Sequence, residues 1–500
     1  MTVRLFNTMS NSVEDFAPAR DNTVRMYACG PTVYDYGHIG NFRSFVAIDI
    51  LRRHLRAAGF GLRHVMNITD VDDRIIENSA KRGVGVREYT EPFERAFLED
   101  ADLLGIERPE LIVRATDHMA DMARFIAQLA ERGFAYRADD GSYYFRISKF
   151  PQYGKLSHKD LAHMEDGARV DSDRFDKEEA RDFALWKAPK PGEHFWETEI
   201  GRGRPGWHIE CSAMSMKYLG ESFDLHAGGE DLIFPHHENE VAQSESLTGH
   251  TFARFWFHVR FLLVEGEKMS KSLGNFYTLR DLVLMGHKPS SIRFLLCSVP
   301  YRHQLNFTFD GLKSAASSVE RLRNFQQRLR QSQFPPGTNA ELLRLAGDTR
   351  SAMRAALDDD LNTATFAAAV FELLREANAR ADAGEVNQEN VTSLLAVLAD
   401  FDAVFAVLAD GGENDDAQKV KRVVDWARSA GYEQKVSAEA ARLAQAAALT
   451  DADVERLVAE HVAARKSRDF GKSDALRTQL AAQGIVLENM KDGSVRWRRK

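Results

Sequence analysis

The amino-acid sequence predicts an α/β fold, with a parallel sheet covered by helices in the first half of the chain and a largely helical second half. Near the amino terminus, apolar runs at 23–30 and 62–70 are typical of strands, and they flank an amphipathic helical pattern at 41–59. Strand, helix, strand in this order is the unit from which parallel sheets are built. After about residue 280 the spacing of apolar residues becomes helical.

Composition and charge narrow the class of protein. With 500 residues the chain exceeds what one hydrophobic core organises, so we expect about two to four domains. The first residues lack the pattern of a signal peptide, and no stretch approaches the roughly 18 apolar residues of a membrane span. Three cysteines, of which Cys297 is expected in the core, argue against a disulfide framework, so we expect a cytoplasmic protein without a membrane partner. The net charge of −8 excludes a protein that coats nucleic acid indiscriminately.

The pattern changes several times along the chain. Residues 135–205 combine short aromatic runs with proline and glycine, which predicts an inserted, irregular β-rich segment. The acidic stretch "DGGENDDAQ" at 410–418 predicts a linker. The other predicted elements are strands at 222–229 and 256–264, helices at 311–332 and within 340–409, an amphipathic core helix at 393–410, and a final helix pair followed by a β-hairpin.

Four residues with metal-binding side chains lie in distant parts of the sequence. Cys29 follows the first strand, Cys211 lies in "GWHIECSAM", and His236 and Glu240 lie in "FPHHENE". On a helix His236 and Glu240 share a face because they are four residues apart, whereas His237 is expected to point elsewhere. Two thiolates, one imidazole and one carboxylate suit tetrahedral Zn²⁺. Singly, each residue also fits a simpler role, as a small buried cysteine or a solvated helix start.

Two stretches have the chemistry of phosphate binding. His38, Gly40 and Asn41 lie where a glycine-rich turn enters a helix, so free backbone N–H groups and the helix dipole favour an anion there. The charge of His38 is expected to be adjustable near neutral pH. In "GEKMSKSLGN", Lys268 and Lys271 are suited to neutralise charge on a leaving pyrophosphate. Taken alone, a buried hydrogen-bonded histidine and an exposed lysine loop explain these stretches more simply.

The combination of these stretches resembles a known family. "HIGN" at 38–41 followed by "KMSKS" at 268–272 resembles the paired signatures of class I aminoacyl-tRNA synthetases. The longer motifs "MYACGPTVYDYGHIGN", "NITDVDDRII", "GRPGWHIECSAM" and "HAGGEDLIFPHHENE" are similar to the cysteinyl-tRNA synthetase family in particular, over essentially the whole chain. The resemblance implies a ligase that uses ATP to activate L-cysteine as cysteinyl-adenylate and transfers it to the 3′ end of tRNA(Cys).

The resemblance also implies an architecture. We expect a Rossmann-like catalytic domain with a connective insertion, then helical domains and a small C-terminal α+β anticodon-binding domain, in a monomer. The expected boundaries are 1–134 and 206–265 for the two halves of the catalytic domain, 135–205 for the insertion, 266–335 for the signature loop and tRNA stem contacts, 336–410 for a helical bundle, 411–440 for a linker, and 441–500 for the anticodon domain.

Site residues follow from the resemblance by position. One zinc ion per chain would be held by the four metal-binding residues named above. His38, Gly40 and Asn41 would contact ATP, which enters with Mg²⁺, and Lys268 and Lys271 would stabilise the transition state of adenylate formation. The implied contacts to the amino acid are Gly30, Thr69, Trp207 and Asp231. The implied contacts to tRNA are Arg465, Asp474 and Trp497.

A zinc ion would explain how cysteine is selected over serine, which differs by one atom. Shape alone gives about 1–3 kcal/mol for so small a difference. A thiol, with a pKa near about 8.5, loses its proton on binding zinc, whereas a hydroxyl is far less acidic. Four protein ligands are typical of a closed structural site. The hypothesis therefore requires the metal to accept a fifth ligand or release one, and Glu240 is the expected one to loosen.

Two kinds of acceptor for the activated cysteine are compatible with the motifs described so far. A related ligase family shares the zinc and both signature loops but uses an aminosugar-inositol acceptor and lacks the anticodon domain. Here residues 461–500 carry ten Lys or Arg against four acids, a net charge of +6. Phe470 and Trp497 are available there for stacking on bases, which favours RNA. Simple solubility is the alternative reason for a basic tail.

Two other classes of function would need different residues. A non-catalytic, zinc-stabilised nucleotide sensor would need neither Lys268 nor Lys271, and a zinc hydrolase would need an open metal position beside a general base. Phe470 and Asn489 stand where the family leads us to expect a tryptophan and an acid, and the wording around 190–205 also departs from the family. The sequence leaves open whether three carboxylates bind substrate or pack: Asp70, Asp72 and Asp73.

Overall fold

The computed structural model describes residues 2–159, 181–408, 412–446, 451–489 and 495–499. Its helices are α1 Ile39–Ala57, α2 Asp73–Arg82, α3 Val86–Leu103, α4 Met119–Glu131, α5 Trp207–Leu219, α6 Glu238–Thr248, α7 Leu279–Leu284, α8 Pro289–Cys297, α9 Phe309–Gln331, α10 Ala340–Asp358, α11 Thr363–Asp382, α12 Gln388–Phe405, α13 Gly412–Ser429, α14 Ala438–Ala446, α15 Asp451–Lys466 and α16 Phe470–Ala482. Its strands are β1 Arg4–Asn7, β2 Ser12–Asp15, β3 Thr23–Ala28, β4 Gly61–Ile68, β5 Leu111–Arg114, β6 Ala135–Arg137, β7 Tyr143–Phe145, β8 Phe183–Lys187, β9 Trp196–Thr198, β10 Gly201–Pro205, β11 Phe223–Gly229, β12 Ala253–Val259, β13 Leu262–Val264, β14 Glu267–Lys268, β15 Leu305–Phe307, β16 Ile485–Asn489 and β17 Val495–Arg499.

The central sheet is parallel and has the order β12-β11-β3-β4-β5. Both faces are buried, as the alternation along β3 shows. Met26 and Ala28 belong to the core cluster that contains α1, whereas Tyr27 and the following Cys29 belong to the cluster that contains α5 and the insertion. The parallel-sheet fold class predicted from the strand, helix, strand pattern is confirmed.

The sheet order places a crevice at the carboxyl ends of its central strands. From β3 the chain proceeds to β4 on one side, while β11 lies on the other side. Ligands bind at such reversals of strand order, because the loops that follow neighbouring strands diverge there. Cys29 and Gly30 follow β3, Thr69 follows β4, and Asp231 follows β11, so the topology brings these residues to one edge.

The insertion is a second sheet rather than an irregular segment. Its strands have the order β6-β7-β8-β10-β9 and pair antiparallel. Stacked phenylalanines, Phe145 on Phe183 with ring centroids 5.0 Å apart, join it to the core that contains α5. The charged middle of the predicted insertion, 160–180, lies outside the described residues.

One predicted strand is divided in the structure. The prediction of a single strand over 256–264 is wrong, because β12 ends at Val259 and β13 begins at Leu262 in a different sheet. That sheet has the order β14-β13-β15 and carries the loop with Lys268 and Lys271. The break therefore separates the central sheet from the second signature loop.

The predicted linker at 411–440 is also wrong. From Gly412 to Ser429 the chain forms α13, whose buried Val420, Val424 and Ala427 join the same core cluster as α1. Asp416, one of the acids that suggested a linker, is buried and pairs with Arg323 at 2.8 Å. The charge of Asp416 is therefore part of a buried ion pair and is not exposed to solvent, as it would be in a linker. Residues 410 and 411 of the acidic stretch lie outside the described part of the chain.

A separate module ends the chain. Helices α15 and α16 and the antiparallel hairpin β16-β17 enclose their own core, as the sequence predicts, and these residues form it: Val454, Leu457, Val458, Leu476, Leu480 and Ile485. Helix α14 belongs instead to the large core through Leu443, so this module begins at about Asp451 rather than at residue 441. The hairpin loop 490–494 and Lys500, which carry part of the predicted basic charge, are not among the described residues.

Within the described ranges, no helix is long and apolar enough to cross a membrane. Cys297 is fully buried in α8, as expected of a core residue.

Candidate active site and metal centre

A cleft of about 1000 Å³ opens at the carboxyl ends of the central strands. Its deep end is lined by Cys29, Cys211 and His236, and its other end by His38 and Lys268. The cleft is large enough for a nucleotide and an amino acid together, and its polar groups converge from several loops. One continuous space therefore contains both the metal-type side chains and the phosphate-type loops.

Four side chains meet at the deep end of the cleft. The ligand atoms of Cys29, Cys211, His236 and Glu240 lie within 4.8 Å of one another, and all four residues are buried. Cys29 Sγ is 3.7 Å from Cys211 Sγ and 3.8 Å from Glu240 Oε1. His236 Nε2 is 3.1 Å from the same carboxylate oxygen. The structure thus brings together the four residues that the sequence predicts as metal ligands.

These separations fit a tetrahedral zinc site. Zinc–sulfur bonds of about 2.3 Å and zinc–nitrogen or zinc–oxygen bonds of about 2.1 Å place two sulfurs about 3.8 Å apart and nitrogen about 3.4 Å from oxygen. The sulfurs here are 3.7 Å apart, and His236 Nε2 is 3.1 Å from Glu240 Oε1. Among the described residues, His236 Nε2 is a buried atom with no hydrogen-bond partner, since its contact with Glu240 lacks hydrogen-bond geometry. A metal ion would satisfy it.

A second set of side chains has similar spacing: Cys29, His226, His237 and Glu240. The expectation that His237 points elsewhere is wrong, because its Nε2 lies 3.2 Å from Cys29 Sγ. An irregular helical turn at Ile233–His237 precedes α6, so ideal α-helical spacing does not extend to this residue. We favour the first set because His226 Nε2 already donates to Glu240 Oε2 at 2.8 Å.

Further histidines orient the metal-type side chains. His236 Nδ1 lies 2.9 Å from His208 Nδ1, and burial lowers the pKa of His208 to about 3, so its neutral ring can accept this hydrogen bond. On the other side, His237 Nδ1 lies 2.8 Å from His258 Nε2, and His258 Nδ1 lies 2.7 Å from Thr8 Oγ1. If Thr8 donates to His258 and His258 donates to His237, the Nε2–H of His237 points at the sulfur of Cys29. Such outer partners fix the tautomer and orientation of metal ligands.

The two thiols need a cation to ionise. Burial raises the pKa of Cys29 well above its ordinary value, and the neighbouring Cys211 adds to the effect. Burial likewise raises the pKa of Cys211. A bound metal ion reverses this preference because it stabilises the thiolate directly. The donor set therefore has the chemistry of a divalent soft-metal site rather than of a pair of free nucleophiles.

His38 caps helix α1 with its own side chain. His38 Nδ1 accepts a hydrogen bond from the Asn41 backbone N–H at 3.2 Å, and Asn41 Oδ1 accepts one from the His38 N–H at 3.1 Å. Because a backbone N–H can only donate, the neutral His38 ring carries its proton on Nε2. Burial, together with the charge of Lys271, lowers the pKa of His38 to about 4.

Two expectations about this helix start are therefore corrected. The charge of His38 is not adjustable near neutral pH, since the ring is neutral there. The Asn41 N–H is not free for an anion, because His38 uses it. The helix start can still offer a phosphate the Nε2–H of His38 and the helix dipole. Gly40 preserves this cap, since a Cβ on it would lie 3.0 Å from His38 Nδ1.

The two lysines of the second signature loop differ in their surroundings. Lys268 lines the cleft and is exposed at the end of β14. Lys271 is exposed too, and its Nζ donates to Asp35 Oδ2 at 2.8 Å across the cleft mouth. Its ammonium also lies 5.0 Å from the ring centre of Phe276. Lys271 is thus held beside the first signature loop.

A directed hydrogen-bond chain forms part of the cleft floor. The Gly30 N–H donates to Asn67 Oδ1 at 2.9 Å, Asn67 Nδ2 donates to Thr69 Oγ1 at 3.0 Å, and Thr69 Oγ1 donates to Glu210 Oε2 at 2.9 Å. The chain connects the residues next to the two cysteines. Gly30 must be glycine, because a Cβ there would lie 1.6 Å from the Asn67 carbonyl oxygen.

The three carboxylates left open by the sequence have structural partners. Asp70 is buried and accepts hydrogen bonds from the backbone N–H and hydroxyl of Thr116. Asp72 caps α2 through the Ile75 N–H. Asp73 pairs with Arg204 at 2.8 Å and with a lysine of β8 at 3.2 Å. Each of the three carboxylates thus has a structural partner, while Asp72 and Asp73 also line the cleft.

The remaining predicted amino-acid contacts lie at the cleft. Trp207 begins α5, is 40% exposed, and places its ring 4.2 Å from the ring of His236. Asp231 lines the cleft near Lys268, and burial raises its pKa above the ordinary value. An aromatic face beside the metal-type residues and a carboxylate further out suit an amino acid's side chain and ammonium group.

The predicted tRNA contacts lie in the C-terminal module, and none of them lines the cleft. Arg465 and Asp474 are exposed on α15 and α16. Trp497 is half-buried against the module core, and its carbonyl accepts from Gln327 of α9 at 2.5 Å. Phe470 is 61% exposed and therefore offers a freer face for stacking than Trp497.

Sequence reasoning missed the outer histidines and two of the four residues of the cleft floor. His226 and His258 lie on neighbouring strands β11 and β12, where strand alternation gives no sign of chemistry. Asn67 and Glu210 read as strand and helix residues. One signal was available in the sequence. Several histidines lie close to the cysteines and to the PHHENE motif, although only one histidine ligand is predicted.

Comparisons with known protein families and solved structures agree with this fold and site. Residues 15–317 match the family model described as tRNA synthetases class I (C) catalytic domain, and residues 352–409 match the DALR domain. Among solved structures, methionyl-tRNA synthetase of Mycobacterium tuberculosis in complex with methionyl-adenylate has a TM-score of 0.56 at 16% identity, covering 85% of this chain and 93% of that one. The parallel sheet, the paired loops and these matches define a class I aminoacyl-tRNA synthetase.

Curated relatives narrow the class. The cysteine–tRNA ligase of Koribacter versatilis (strain Ellin345) is 64% identical over 500 residues, and that of Solibacter usitatus (strain Ellin6076) is 53% identical over 500 residues. Each alignment covers 100% of both chains. The chain belongs to the cysteine–tRNA ligase family.

Proposed function

We propose that this protein activates L-cysteine with ATP as cysteinyl-adenylate and transfers it to the 3′ end of tRNA(Cys). One observation carries the proposal: the buried Cys, Cys, His, Glu cluster opens into the same cleft as His38 and Lys268. Chemistry that recognises a thiol and chemistry that handles phosphates are therefore adjacent. Membership of the family supports the same reaction.

A zinc ion held by Cys29, Cys211, His236 and Glu240 would supply affinity for a substrate thiol over a serine hydroxyl. Asn67 and Glu210 hold Thr69 in one orientation through the cleft-floor hydrogen bonds. We assign Gly30, Thr69, Trp207 and Asp231 to the amino acid. Fixing the substrate in this way contributes orientation of its carboxylate toward the nucleotide, not acid–base catalysis.

We assign the nucleotide to the other end of the cleft. His38 donates from Nε2 to a phosphate oxygen, while Gly40 and Asn41 hold the ring in its cap. Lys268 and Lys271 neutralise charge that develops on the leaving pyrophosphate. ATP enters with Mg²⁺, as is expected from the chemistry of nucleoside triphosphates.

We assign the C-terminal module to tRNA. Its separate core, its exposed Arg465, Asp474 and Phe470, and the net charge of +6 over residues 461–500 support contact with an RNA loop. We assign the half-buried Trp497 a smaller contribution to tRNA binding. A small-molecule acceptor would leave this module without a role, and transfer of labelled cysteine to tRNA(Cys) rather than to an aminosugar-inositol separates the two. We further propose a monomer that acts in the reducing cytoplasm.

The metal-dependent step has a direct test. We predict that Cys211→Ser abolishes cysteine-dependent exchange of pyrophosphate into ATP and lowers bound zinc from one per chain to near zero. Zinc is measured by atomic absorption and exchange with labelled pyrophosphate, with serine as the competing amino acid. Removal of the metal by a chelator should abolish exchange in the unmodified protein, and added zinc should restore it.

The matched control is Cys297→Ser. Cys297 is fully buried in α8 and belongs to the core cluster on the other face of the sheet, so its replacement tests stability without touching the cleft. It should retain zinc and exchange. Full exchange by metal-free protein, or equal loss in both variants, contradicts the proposed role of the metal.

A further inference from the structure

Helix α13, where the sequence predicts a linker, contacts both the loop that precedes α1 and helix α7, which follows the second signature loop. The Trp426 ring lies 5.4 Å from the Tyr36 ring at an interplanar angle of 73°. The guanidinium of Arg280 lies 4.3 Å from the centre of the Trp426 ring. Tyr36 precedes His38 in the first signature loop, and Arg280 lies in α7, just after the second.

Tyr36 is clamped from three sides. Phe93 of α3 contacts its ring edge-on at 5.3 Å and 80°, Arg280 lies 5.5 Å from its centre, and Trp426 closes the remaining side. Tyr36 also lines the cleft. The position of the loop that delivers His38 therefore depends on a side chain some 390 residues further along the sequence.

Arg280 is a buried connection between the same elements. It is 4% exposed, and it donates to Asp100 Oδ1 at 2.7 Å and to Glu99 Oε2 at 2.8 Å on α3. Its guanidinium is therefore fixed in direction by α3 while its face rests on Trp426. Arginine faces pack on indole rings with useful strength when they are desolvated.

The next residue of α7 is held by the same distal segment. Asp281 completes the capping box of α7 with Thr278, and it accepts a hydrogen bond from Lys435 Nζ at 2.9 Å. Thr278 in turn forms a backbone bridge with His38. Tyr432, stacked on Trp426 with centroids 5.3 Å apart, places Lys435 there. Residues 426–435 thus contact α7 at two consecutive residues.

The second signature loop needs such an anchor. Lys268, Lys271 and Leu273 are exposed, Leu273 by 62%, and within this loop Met269 packs against the large core cluster. Besides the exposed Lys271–Asp35 pair, the placement of the loop depends on the elements at its two ends, β13 and α7. An element that fixes α7 against the Tyr36 loop consequently fixes the distance between the lysines and His38.

We propose that Trp426, assisted by Lys435, is a positioning residue of the ATP site, which keeps α7 and the Tyr36 loop in the separation that lets both signature loops face one triphosphate. The inference rests on the proposed activation of cysteine by ATP. It predicts a selective effect on the nucleotide, because the metal end of the cleft is built from α5, α6 and β3 and does not touch Trp426 among the contacts described.

The experiment compares Trp426→Leu with Trp426→Phe in pyrophosphate exchange. Trp426→Leu should raise KM for ATP by about tenfold and leave KM for cysteine within twofold. Trp426→Phe keeps an aromatic face for Arg280 and should recover most of the loss, to within about threefold of the unmodified enzyme. Lys435→Met, which removes the contacts of the ammonium group to Asp281 and to the Tyr432 ring, should raise KM for ATP by about threefold and serves where Trp426→Leu does not fold.

Phe371→Leu is the matched control. Phe371 of α11 carries Arg321 at 4.8 Å from its ring centre and contacts Phe294, but it does not line the cleft. It should change thermal stability as much as Trp426→Leu while leaving KM for ATP within twofold. Equal rises in KM for ATP and cysteine, an unchanged KM for ATP in Trp426→Leu and Lys435→Met, or the same rise in Phe371→Leu overturns the proposal.

Equilibrium binding of a non-hydrolysable ATP analogue separates this inference from the proposed function. If the unmodified protein binds the analogue but exchanges no pyrophosphate with cysteine, the proposed reaction fails. The affinities of the Trp426 variants for the analogue still decide the role of the junction.

Discussion

At the scale of single residues, the ion pair between Lys271 and Asp35 predicts how ATP binding responds to charge. Both side chains are more than 40% exposed, so the pair is worth at most about 1 kcal/mol. Asp35→Asn frees Lys271 and removes a negative charge from the nucleotide end of the cleft. We predict that KM for ATP falls by up to about fivefold at low ionic strength. The difference should vanish in about 0.5 M salt, because screening is then strong.

The control for this prediction is Asp117→Asn. Asp117 forms an ion pair with Arg87 of similar length, 2.7 Å, and similar exposure, yet it does not line the cleft. It should leave KM for ATP unchanged at every salt concentration. A higher KM in Asp35→Asn would instead mean that Asp35 assists the nucleotide.

Residue types with strong chemical preferences were predictable from sequence. Cysteine, histidine and glutamate in separate motifs indicated a metal, and the structure brings the four together. The orientation of His237 was not predictable, because it depends on the irregular turn before α6. The neutral state of His38 was not predictable either, since it follows from burial and from the nearby lysine.

At the scale of elements, Asp416 predicts how firmly α13 is attached. It accepts hydrogen bonds from the Ser290 N–H and hydroxyl and pairs with Arg323. Burial raises the pKa of Asp416, but Arg323 and Ser290 more than offset this and leave it below its ordinary value. Asp416→Ala should lower the free energy of unfolding by about 3 kcal/mol at pH 7, because it leaves a buried arginine uncompensated.

The sign of the pH dependence follows from the lowered pKa. The contribution of Asp416 is complete above the ordinary value of 3.8 and is lost as pH falls through the lower, folded-state pKa. The gap between the unmodified protein and Asp416→Ala should therefore narrow only below pH 3.8 in urea titrations. Asp425→Asn, an exposed pair with Lys421 on the same helix, should shift the urea midpoint very little.

Elements with one clear periodicity were predictable, and those defined by distant partners were not. The strand, helix, strand start and the helix at 311–332 were recognised because their apolar residues follow one spacing. Helix α13 was misjudged because Gly412 and the acids that follow it are typical of loops, while contacts with Ser290 and Arg323, far away in sequence, help to stabilise it. Tertiary packing overrides local propensity in such cases.

At the scale of the whole molecule, the separate cores predict that pyrophosphate exchange and the charging of tRNA depend on different parts of the chain. The C-terminal module has its own apolar cluster, and side-chain contacts such as Arg496 to Ser332 join it to α9. A chain truncated after Ala446 should keep cysteine-dependent pyrophosphate exchange within about threefold. It should lose at least about a hundredfold in kcat/KM for charging of tRNA(Cys), measured with labelled cysteine.

The comparison for the truncation is Phe470→Ala in the full chain. Phe470 is exposed, so its replacement should leave folding and pyrophosphate exchange unchanged. It should weaken only the binding of tRNA, by about fivefold to tenfold if Phe470 stacks on a base. Loss of exchange in the truncated chain would show that the module supports the catalytic part. Full charging by the truncated chain would move the acceptor contacts elsewhere.

The large core cluster joins Val3 and Leu5, near the amino terminus, to Leu443 and Ala444, in α14. A growing polypeptide cannot complete that core until almost the entire message has been translated. Until then, the sheet face around α1 is not fully covered, because the segments that pack on it have not yet left the ribosome. Incomplete chains thus expose long apolar surfaces, which chaperones recognise and which aggregate when unprotected.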